Sequence, residues 1–203
     1  MIKKDMSEKK GRKKNILIIC GKSASGKTFV RDKLVKEHGY KSLVAFTSRP
    51  SRKGEKQDIT YHFISQEEFE QKIEDGFFAE WKKYDTEQGV WYYGTALTDC
   101  YDADDDTVAI LTPEGVRDLQ AIEIHMTVIY LYSNLNTIKQ RLSIRGDNPK
   151  EVERRMKADI KDFNGAEMLA DRIVYNNLSD DIEDVISNVD YWYKKILKEK
   201  ADE

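Results

Sequence analysis

A short glycine-bounded segment, residues 21–28, constrains this chain more than any other feature. It has the spacing G-x-x-x-x-G-K-T, follows the apolar run 15–20 and precedes a helical pattern from 29 to 36. Glycines at these positions let backbone N–H groups converge on phosphate oxygens, and the following helix directs the positive end of its dipole to the same point. The strand–loop–helix context therefore predicts a loop that binds the phosphates of a nucleotide.

The side chains of this loop predict what it binds. Lys27 adds a positive charge for the β- and γ-phosphates, and Thr28 offers a hydroxyl to Mg²⁺. We therefore expect the loop to hold a nucleotide together with Mg²⁺, with Thr28 as metal ligand. The residues predicted to bind this nucleotide are Gly21, Ser23, Ala24, Ser25, Gly26, Lys27, Thr28 and Phe29. A chance glycine-rich turn is the alternative, and the flanking strand and helix patterns argue against it.

Composition limits the classes of protein to which the chain can belong. The net charge of its 203 residues is −3, and the clear positive cluster is the lysine-rich start, 1–14, which we interpret as a disordered basic tail. Nucleic-acid binding therefore has little support, and the apolar runs are too short to cross a membrane. Two cysteines and three scattered histidines form no disulfide framework and no metal spacing. This pattern fits a reducing cytoplasm, and the sequence leaves monomer and homodimer both open.

Strand and helix patterns alternate along most of the chain, which predicts an α/β fold. Buried strands are expected at 16–20, 42–46, 107–111 and 126–131, with a weaker one at 172–175. Helices are expected at 28–38, 114–121, 135–144, 150–169 and 182–198. We therefore predict a parallel sheet of the P-loop NTPase type flanked by helices, built from 15–48 and 96–203, with ligands at the carboxyl ends of its strands.

Residues 49–95 interrupt this alternation. Short strands are expected at 60–64, 77–82 and 90–93, with a helix at 66–73, so we interpret 49–95 as a small inserted α+β lobe. Arg49 and Arg52 lie three residues apart in a loop bounded by proline and glycine, with Tyr61 further on. Guanidinium groups bind phosphate in a bidentate manner, so these residues suggest a second phosphate site. By itself, a solvated basic loop is the commoner explanation of such a pattern.

Several motifs, in order, resemble those of the guanylate kinase family. The segment TSRPSRKGEKQDITYHF, residues 47–63, is similar to that family's acceptor-binding segment. Glu80-Trp81 resembles its E-W pair, and residues 92–95 resemble its Y-Y-G-[ST] run. Arg141, Arg145 and Arg155 resemble the arginines of its lid. The similarity extends from about residue 16 to about 195.

The resemblance implies a helical lid at about 145–158, and it implies a role for each matching residue. It also implies that the nucleotide at the phosphate loop is ATP, the phosphoryl donor, so that residues 21–29 are the implied ATP-binding segment. A nucleoside monophosphate would lie in the inserted lobe, with its phosphate near the arginines and tyrosines and a guanine base against Glu80 and Thr95. The implied acceptor-binding residues are Arg49, Arg52, Glu55, Tyr61, Glu80, Tyr93, Thr95 and Thr112. The implied catalytic residues are Lys27, Arg49, Arg141, Arg145 and Arg155. Phosphoryl transfer depends on alignment and positive charge, which agrees with this set.

The chain departs from the family pattern at positions that in the family contact the base or lie near the metal. Ala45 stands where the family usually has a serine, and Ile110 and Thr112 replace two aspartates. These changes predict weaker or altered base selectivity, because a hydroxyl accepts two N–H bonds less strongly than a carboxylate does. The leading hypothesis is ATP-dependent phosphorylation of GMP or dGMP. A kinase for another nucleotide or a ribosyl bisphosphate, and a non-catalytic binding module, are the alternatives.

Overall fold

The structure, a computed structural model, describes residues 14–52, 54–86, 88–145 and 149–202; the tail predicted at 1–14 therefore lies almost wholly outside the described residues. In chain order the elements are β1 (Ile16–Cys20), α1 (Lys27–Glu37), β2 (Lys41–Ser42), β3 (Phe46–Thr47), β4 (His62–Phe63), α2 (Gln66–Glu74), β5 (Phe78–Thr86), β6 (Gly89–Ala96), α3 (Leu97–Asp102), β7 (Thr107–Ile110), α4 (Pro113–Ala121), β8 (Met126–Tyr132), α5 (Leu135–Arg145), α6 (Pro149–Asp162), a 3-10 helix (Ala166–Leu169), β9 (Arg172–Tyr175) and α7 (Ile182–Ala201).

The larger sheet is parallel and has the strand order β2-β7-β1-β8-β9. Its central strand, β1, is buried at every position because it is covered on both faces. Ile16 and Ile18 pack into one hydrophobic cluster, with side chains from α3 and α4. Leu17 and Ile19 pack into the other, with side chains from α1 and α7. The continuous apolar run of β1 thus reflects a sheet between two helical layers, as the sequence predicts.

A second, smaller sheet has the order β4-β3-β6-β5, and with α2 it forms what we call the small lobe. Its long hairpin, β5 and β6, is antiparallel. The single strand predicted at 42–46 is wrong: β2 belongs to the larger sheet and β3 to the smaller one. Residues 43–45 connect them, and Leu43 is buried in the core between the sheets. An apolar run does not reveal that its two halves pair with different partners.

Two helix predictions also need correction. The helix predicted at 150–169 ends at Asp162, and a separate 3-10 helix follows. Gly165 lies between them and directly precedes the 3-10 helix, with φ of 70°, a left-handed conformation that glycine adopts without strain. The short helix α3 was not predicted. It buries Leu97 and Cys100 and returns the chain from the small lobe to the core of the larger sheet.

The observed architecture confirms the predicted fold class, a mostly parallel sheet flanked by helices with a phosphate-loop segment after its first strand. Among the described helices, none combines the length and apolar character required to cross a membrane. Cys20 and Cys100 are both buried free thiols.

Candidate active site

The phosphate loop joins β1 to α1 at the carboxyl edge of the larger sheet. Gly26 precedes α1 with φ of 96°, and a Cβ at this position would lie 2.4 Å from Asn176 Nδ2. A Cβ on Gly21 would lie 2.5 Å from the carbonyl oxygen of Leu131 on the neighbouring strand. Both glycines are therefore required by close approach of other residues, and Gly26 also by its backbone conformation.

Lys27 is folded over this loop. Its Nζ donates hydrogen bonds to the carbonyl oxygens of Gly21, at 2.6 Å, and Lys22, at 2.8 Å. Burial lowers the pKa of Lys27, while the nearby Asp159 carboxylate opposes that shift. The ammonium group thus lies at the centre of the loop, where the phosphates of a nucleotide would replace its carbonyl partners.

An acidic side chain from α6 is hydrogen-bonded to a backbone N–H of the phosphate loop. Asp159 accepts a hydrogen bond of 2.8 Å from the backbone N–H of Ser23 and one of 3.2 Å from its hydroxyl. Burial raises the pKa of Asp159, although the bonds from Ser23 oppose this. A carboxylate here takes the position that a phosphate oxygen requires, so polyphosphate and Asp159 should compete for the Ser23 N–H.

We expect Asp159→Ala to tighten ADP binding about tenfold, roughly the value of one charge-assisted hydrogen bond that no longer has to be displaced. Calorimetric titration in the absence of Mg²⁺ measures this directly. Wild-type affinity should also rise as the pH falls and Asp159 becomes protonated, and the variant should lack this limb. Glu153→Gln, an exposed change on the same helix, is the control. Unchanged or weaker affinity for ADP in Asp159→Ala would contradict the competition.

The small lobe holds a second cluster of side chains, those that the sequence predicts to bind phosphate. Arg49 is only 3% exposed, and its Nη1 and Nη2 each donate a 2.6 Å hydrogen bond to the carboxylate of Glu55. Its Nε donates to the hydroxyl of Tyr93 at 3.1 Å, and its guanidinium lies 5.0 Å from the ring centre of Tyr61. Glu55 also accepts from the backbone N–H of Arg52. Glu55 therefore fixes both Arg49 and the backbone of the surrounding loop.

Glu80 lies at the deep end of the small lobe, near α4. It is 9% exposed, and Thr95 donates a 2.6 Å hydrogen bond to its Oε1. A Cβ on Gly115 would lie 2.9 Å from Glu80 Oε2, so only glycine at this position of α4 lets the carboxylate stand here. Burial raises the pKa of Glu80 to about 7, and the hydrogen bond from Thr95 opposes this. Glu80 is thus a buried acceptor that changes charge near neutral pH.

A single cavity of about 330 Å³ connects the phosphate loop to the small lobe. The structure brings most of the predicted site residues to its wall. Those that line it are Gly21, Ser23, Ala24, Lys27, Thr28, Arg52, Tyr61, Glu80, Tyr93, Thr112 and Arg155. The motifs quoted from distant parts of the sequence therefore meet around one space, with the phosphate loop at one end and the acidic group of Glu80 at the other.

Other predicted residues lie behind this wall. Arg49, Glu55 and Thr95 support residues that reach the cavity. Arg141 donates to the carbonyl oxygen of Ala24, at 3.3 Å, and to Asn176 Oδ1, at 3.0 Å, so it braces the phosphate loop.

Two further predicted residues, Ser25 and Phe29, lie in the loop and directly after it. Ser25 is fully buried and Phe29 is half exposed at the start of α1. The side chain of Arg145 lies outside the described part of the chain.

Thr112, predicted to contact the acceptor, has a structural task. Its Oγ1 caps α4 by accepting from the backbone N–H of Gly115 at 3.1 Å. Within the described residues no group of three His, Cys, Asp or Glu side chains is arranged to hold a metal ion. Thr28 is exposed, lines the cavity and offers the kind of oxygen that Mg²⁺ prefers. Thr28 therefore remains the predicted Mg²⁺ ligand.

Several residues of the cavity wall were not predicted from the sequence: Lys82, Tyr84, Trp91, Arg154, Asp159 and Asp162. For β5 a signal was available, because Glu80, Lys82 and Tyr84 alternate along the strand and must share one face. For Asp159, the spacing of four residues from Arg155 places both on one face of α6. Neither pattern identifies the partner, which depends on how α6 packs against the loop.

Fold and site together define a P-loop phosphotransferase-type protein, in which one cavity joins a phosphate loop to a second lobe that carries arginine and tyrosine side chains. The guanylate kinase family model matches residues 13–195. The chain therefore belongs to the guanylate kinase family, which confirms the resemblance seen in its motifs.

Individual relatives agree with this assignment. The chain is 30% identical over 208 residues to a guanylate kinase of Clostridioides difficile, covering 93% of this chain and 96% of that protein. It is 26% identical to a guanylate kinase of Malacoplasma penetrans, covering 95% and 100% respectively. The crystal structure of guanylate kinase from Anaplasma phagocytophilum has a similar fold, with a TM-score of 0.64, 19% identity and coverage of 93% of this chain and 87% of that one.

Proposed function

We propose that this protein transfers the γ-phosphoryl group of ATP to GMP or dGMP, giving ADP and the nucleoside diphosphate. The observation that carries the proposal is the single cavity with a phosphate loop at one end and Arg52, Tyr61 and Glu80 at the other. Family membership supports the same reaction. The buried free thiols of Cys20 and Cys100 are consistent with a reducing compartment, and we infer that the enzyme acts in the cytoplasm.

In this proposal the phosphate loop holds the donor. Backbone N–H groups around Gly26 and the ammonium of Lys27 bind the β- and γ-phosphates, displacing Asp159 and the two carbonyl oxygens that now hold Lys27. Mg²⁺, when bound through Thr28, would neutralise charge on the donor phosphates. Arg155 lines the cavity from α6 and supplies positive charge at the side of the transferred group. Arg141 acts through the loop that it braces.

The small lobe aligns the acceptor in line with the donor. Arg52, Tyr61 and Tyr93, with Arg49 behind them, bind the phosphate of GMP. The carboxylate of Glu80 accepts hydrogen bonds from guanine N1–H and the 2-amino group, while Thr95 keeps the carboxylate in place. Because the transition state of phosphoryl transfer is loose, alignment and positive charge account for most of the expected rate enhancement.

The decisive experiment measures ADP release with Mg²⁺-ATP and each of GMP, dGMP, AMP, CMP, UMP and dTMP. We expect release with the two guanine nucleotides and little with the others. Release with none would contradict a monophosphate kinase and would favour a binding module. Release with a different base would keep the reaction but change the acceptor. A nucleotide with a different base, or a ribosyl bisphosphate, is the second candidate for the acceptor. At position 112 the family has an acid, whereas here the hydroxyl of Thr112 is engaged in capping α4.

We expect Glu80→Gln to lower kcat/KM for GMP about a hundredfold at pH 8, because the amide keeps one uncharged acceptor and presents an N–H donor where guanine needs the second acceptor. The wild-type kcat/KM should fall as the pH drops below about 7, where Glu80 becomes protonated. The variant should lack that limb. A wild-type profile for GMP that is flat between pH 5.5 and 8 would contradict base reading by Glu80.

Stability supplies an independent check on Glu80. The pKa of Glu80 is higher in the folded protein than in the unfolded chain, so the folded protein holds this proton more tightly. The free energy of unfolding therefore decreases as the pH rises from about 4.5 to about 7 and the buried carboxyl group becomes charged. Glu80→Gln should therefore raise the unfolding temperature more at pH 8 than at pH 5. The corresponding difference in the free energy of unfolding is about 3 kcal/mol. Glu74→Gln, an exposed change on α2, should show no such pH dependence.

A further inference from the structure

A lysine that no motif of the sequence singles out lies where three elements of the site meet. Alternation along β5 puts Glu80, Lys82 and Tyr84 on the cavity, whereas Trp81 and Lys83 are exposed on the opposite face. The side chain of Lys82 is only 19% exposed. A lysine side chain normally extends until its ammonium group reaches water, so the largely buried position of Lys82 must be fixed by the residues packed around it.

The two partners of Lys82 come from different parts of the fold. Its Nζ lies 2.9 Å from Glu114 Oε2, in the first turn of α4, and 2.9 Å from Asp162 Oδ2, at the end of α6. Burial opposes the charge of Lys82, but the hydrogen bonds to Asp162 and Glu114 outweigh it, and the pKa of Lys82 is raised. The ammonium is therefore charged at every physiological pH and joins the small lobe to both α4 and α6.

The face of α6 that meets Lys82 continues to the phosphate loop. Arg155, Asp159 and Asp162 are spaced by four and three residues, so they lie along one side of the helix, and all three line the cavity. Asp159 contacts Ser23 of the phosphate loop, and Asp162 contacts Lys82 of the small lobe. The helix is thus attached at two points, one on the donor side and one on the acceptor side, with Arg155 one turn away.

We infer that Lys82 is a positioning residue for phosphoryl transfer: its ion pair with Asp162 holds α6, and with it Arg155, over the gap between the phosphate loop and the small lobe. This inference rests on the proposed function. Once ATP has displaced Asp159 from Ser23, α6 keeps only the second of the two attachments described above, the Lys82–Asp162 pair. Lys82 then determines how the charge of Arg155 is placed when the two phosphates meet.

The chemistry separates this role from direct contact with a substrate. A lysine that touched the transferred phosphoryl group would act independently of Asp162, and losing both side chains would multiply their effects. A lysine that acts through Asp162 would lose its function when either member of the pair is neutralised, and losing the second would add little.

The test is a double-mutant cycle of Lys82→Met and Asp162→Asn, both chosen to keep the shape of the side chain. We expect each variant to lower kcat about tenfold, because a small displacement of an aligned group is costly in this class of reaction. We expect KM for each substrate to change less than about threefold, and the double variant to remain at about a tenfold loss. Lys82→Arg, which keeps the ion pair, should restore most of kcat. Lys83→Met, the exposed neighbour, is the control.

A loss of about a hundredfold in the double variant would overturn the inference in favour of direct contact with substrate. An unchanged kcat in Lys82→Met would overturn it as well.

Hydrogen exchange of α6 amides in the ligand-free protein provides a readout that does not need activity. Exchange should be faster in Lys82→Met and in Asp162→Asn, and unchanged in Lys83→Met. If the wild type phosphorylates no nucleotide, the proposed function fails while the attachment of α6 is still tested. Unchanged exchange in both Lys82→Met and Asp162→Asn would show that this ion pair does not hold α6.

Discussion

Lys27→Met is expected to lower kcat for ADP release with GMP by about a thousandfold, the scale of losing a charged group that stabilises the transition state. The ammonium lies at the centre of the phosphate loop, 2.6 and 2.8 Å from two carbonyl oxygens that nucleotide phosphates would replace. Methionine keeps the length of the chain but brings no charge to the γ-phosphoryl group as it leaves ADP. Steady-state kinetics at saturating ATP and GMP measures the loss.

The control for this experiment is Lys36→Met, an exposed lysine two turns further along α1, which should leave kcat unchanged. Calorimetric binding of ADP establishes that the Lys27 variant is folded, because the backbone N–H groups of the loop remain. If Lys27→Met kept more than about a tenth of the wild-type kcat, the loop would not be the site of transfer.

Arg49→Met is expected to raise KM for GMP about a hundredfold, because the guanidinium organises the acceptor phosphate cluster through Tyr93 and the surrounding loop. The change should also destabilise the fold. Glu55, which is 17% exposed, would lose both hydrogen bonds from the guanidinium and remain as a half-buried unpaired carboxylate. The two effects are measured separately, by the dependence of rate on GMP and by thermal unfolding.

The double variant Arg49→Met/Glu55→Gln separates binding from stability. Neutralising Glu55 removes the unpaired charge, so the unfolding temperature should recover most of its loss while KM for GMP stays high. A KM that recovered together with stability would mean that Arg49 serves the fold and has no part in acceptor binding. Arg49→Lys should recover little of either quantity, because an ammonium cannot reproduce the bidentate pair with Glu55.

Sequence alone predicted those parts of the molecule that depend on local pattern. The run before Gly21 predicted a buried strand, because a strand covered on both faces must be apolar throughout. The glycine spacing predicted the loop, because few other residues satisfy its backbone requirements. The family motifs brought Arg52, Tyr61, Glu80 and Tyr93 together correctly around one cavity. Their catalytic and binding roles remain predictions.

What the sequence could not predict depends on packing between elements. The break between β2 and β3 has no local signal, since no glycine or proline interrupts the run from Ser42 to Phe46. Lys82 reads as one of two adjacent surface lysines until its partners on α4 and α6 are known. Asp159 reads as a solvated acid on a charged helix until the helix packs against Ser23.

The route of the chain between its two sheets has a mechanical consequence. The polypeptide enters the small lobe through residues 43–45 and leaves it where β6 passes into α3 at Leu97, so two short connections carry all the covalent linkage. Torsional changes confined to those residues would swing the acceptor site toward the donor as a rigid body, with every β3–β6 hydrogen bond kept. Domain closure in this enzyme would then be of the hinge type, and its axis would pass beside the buried Leu43.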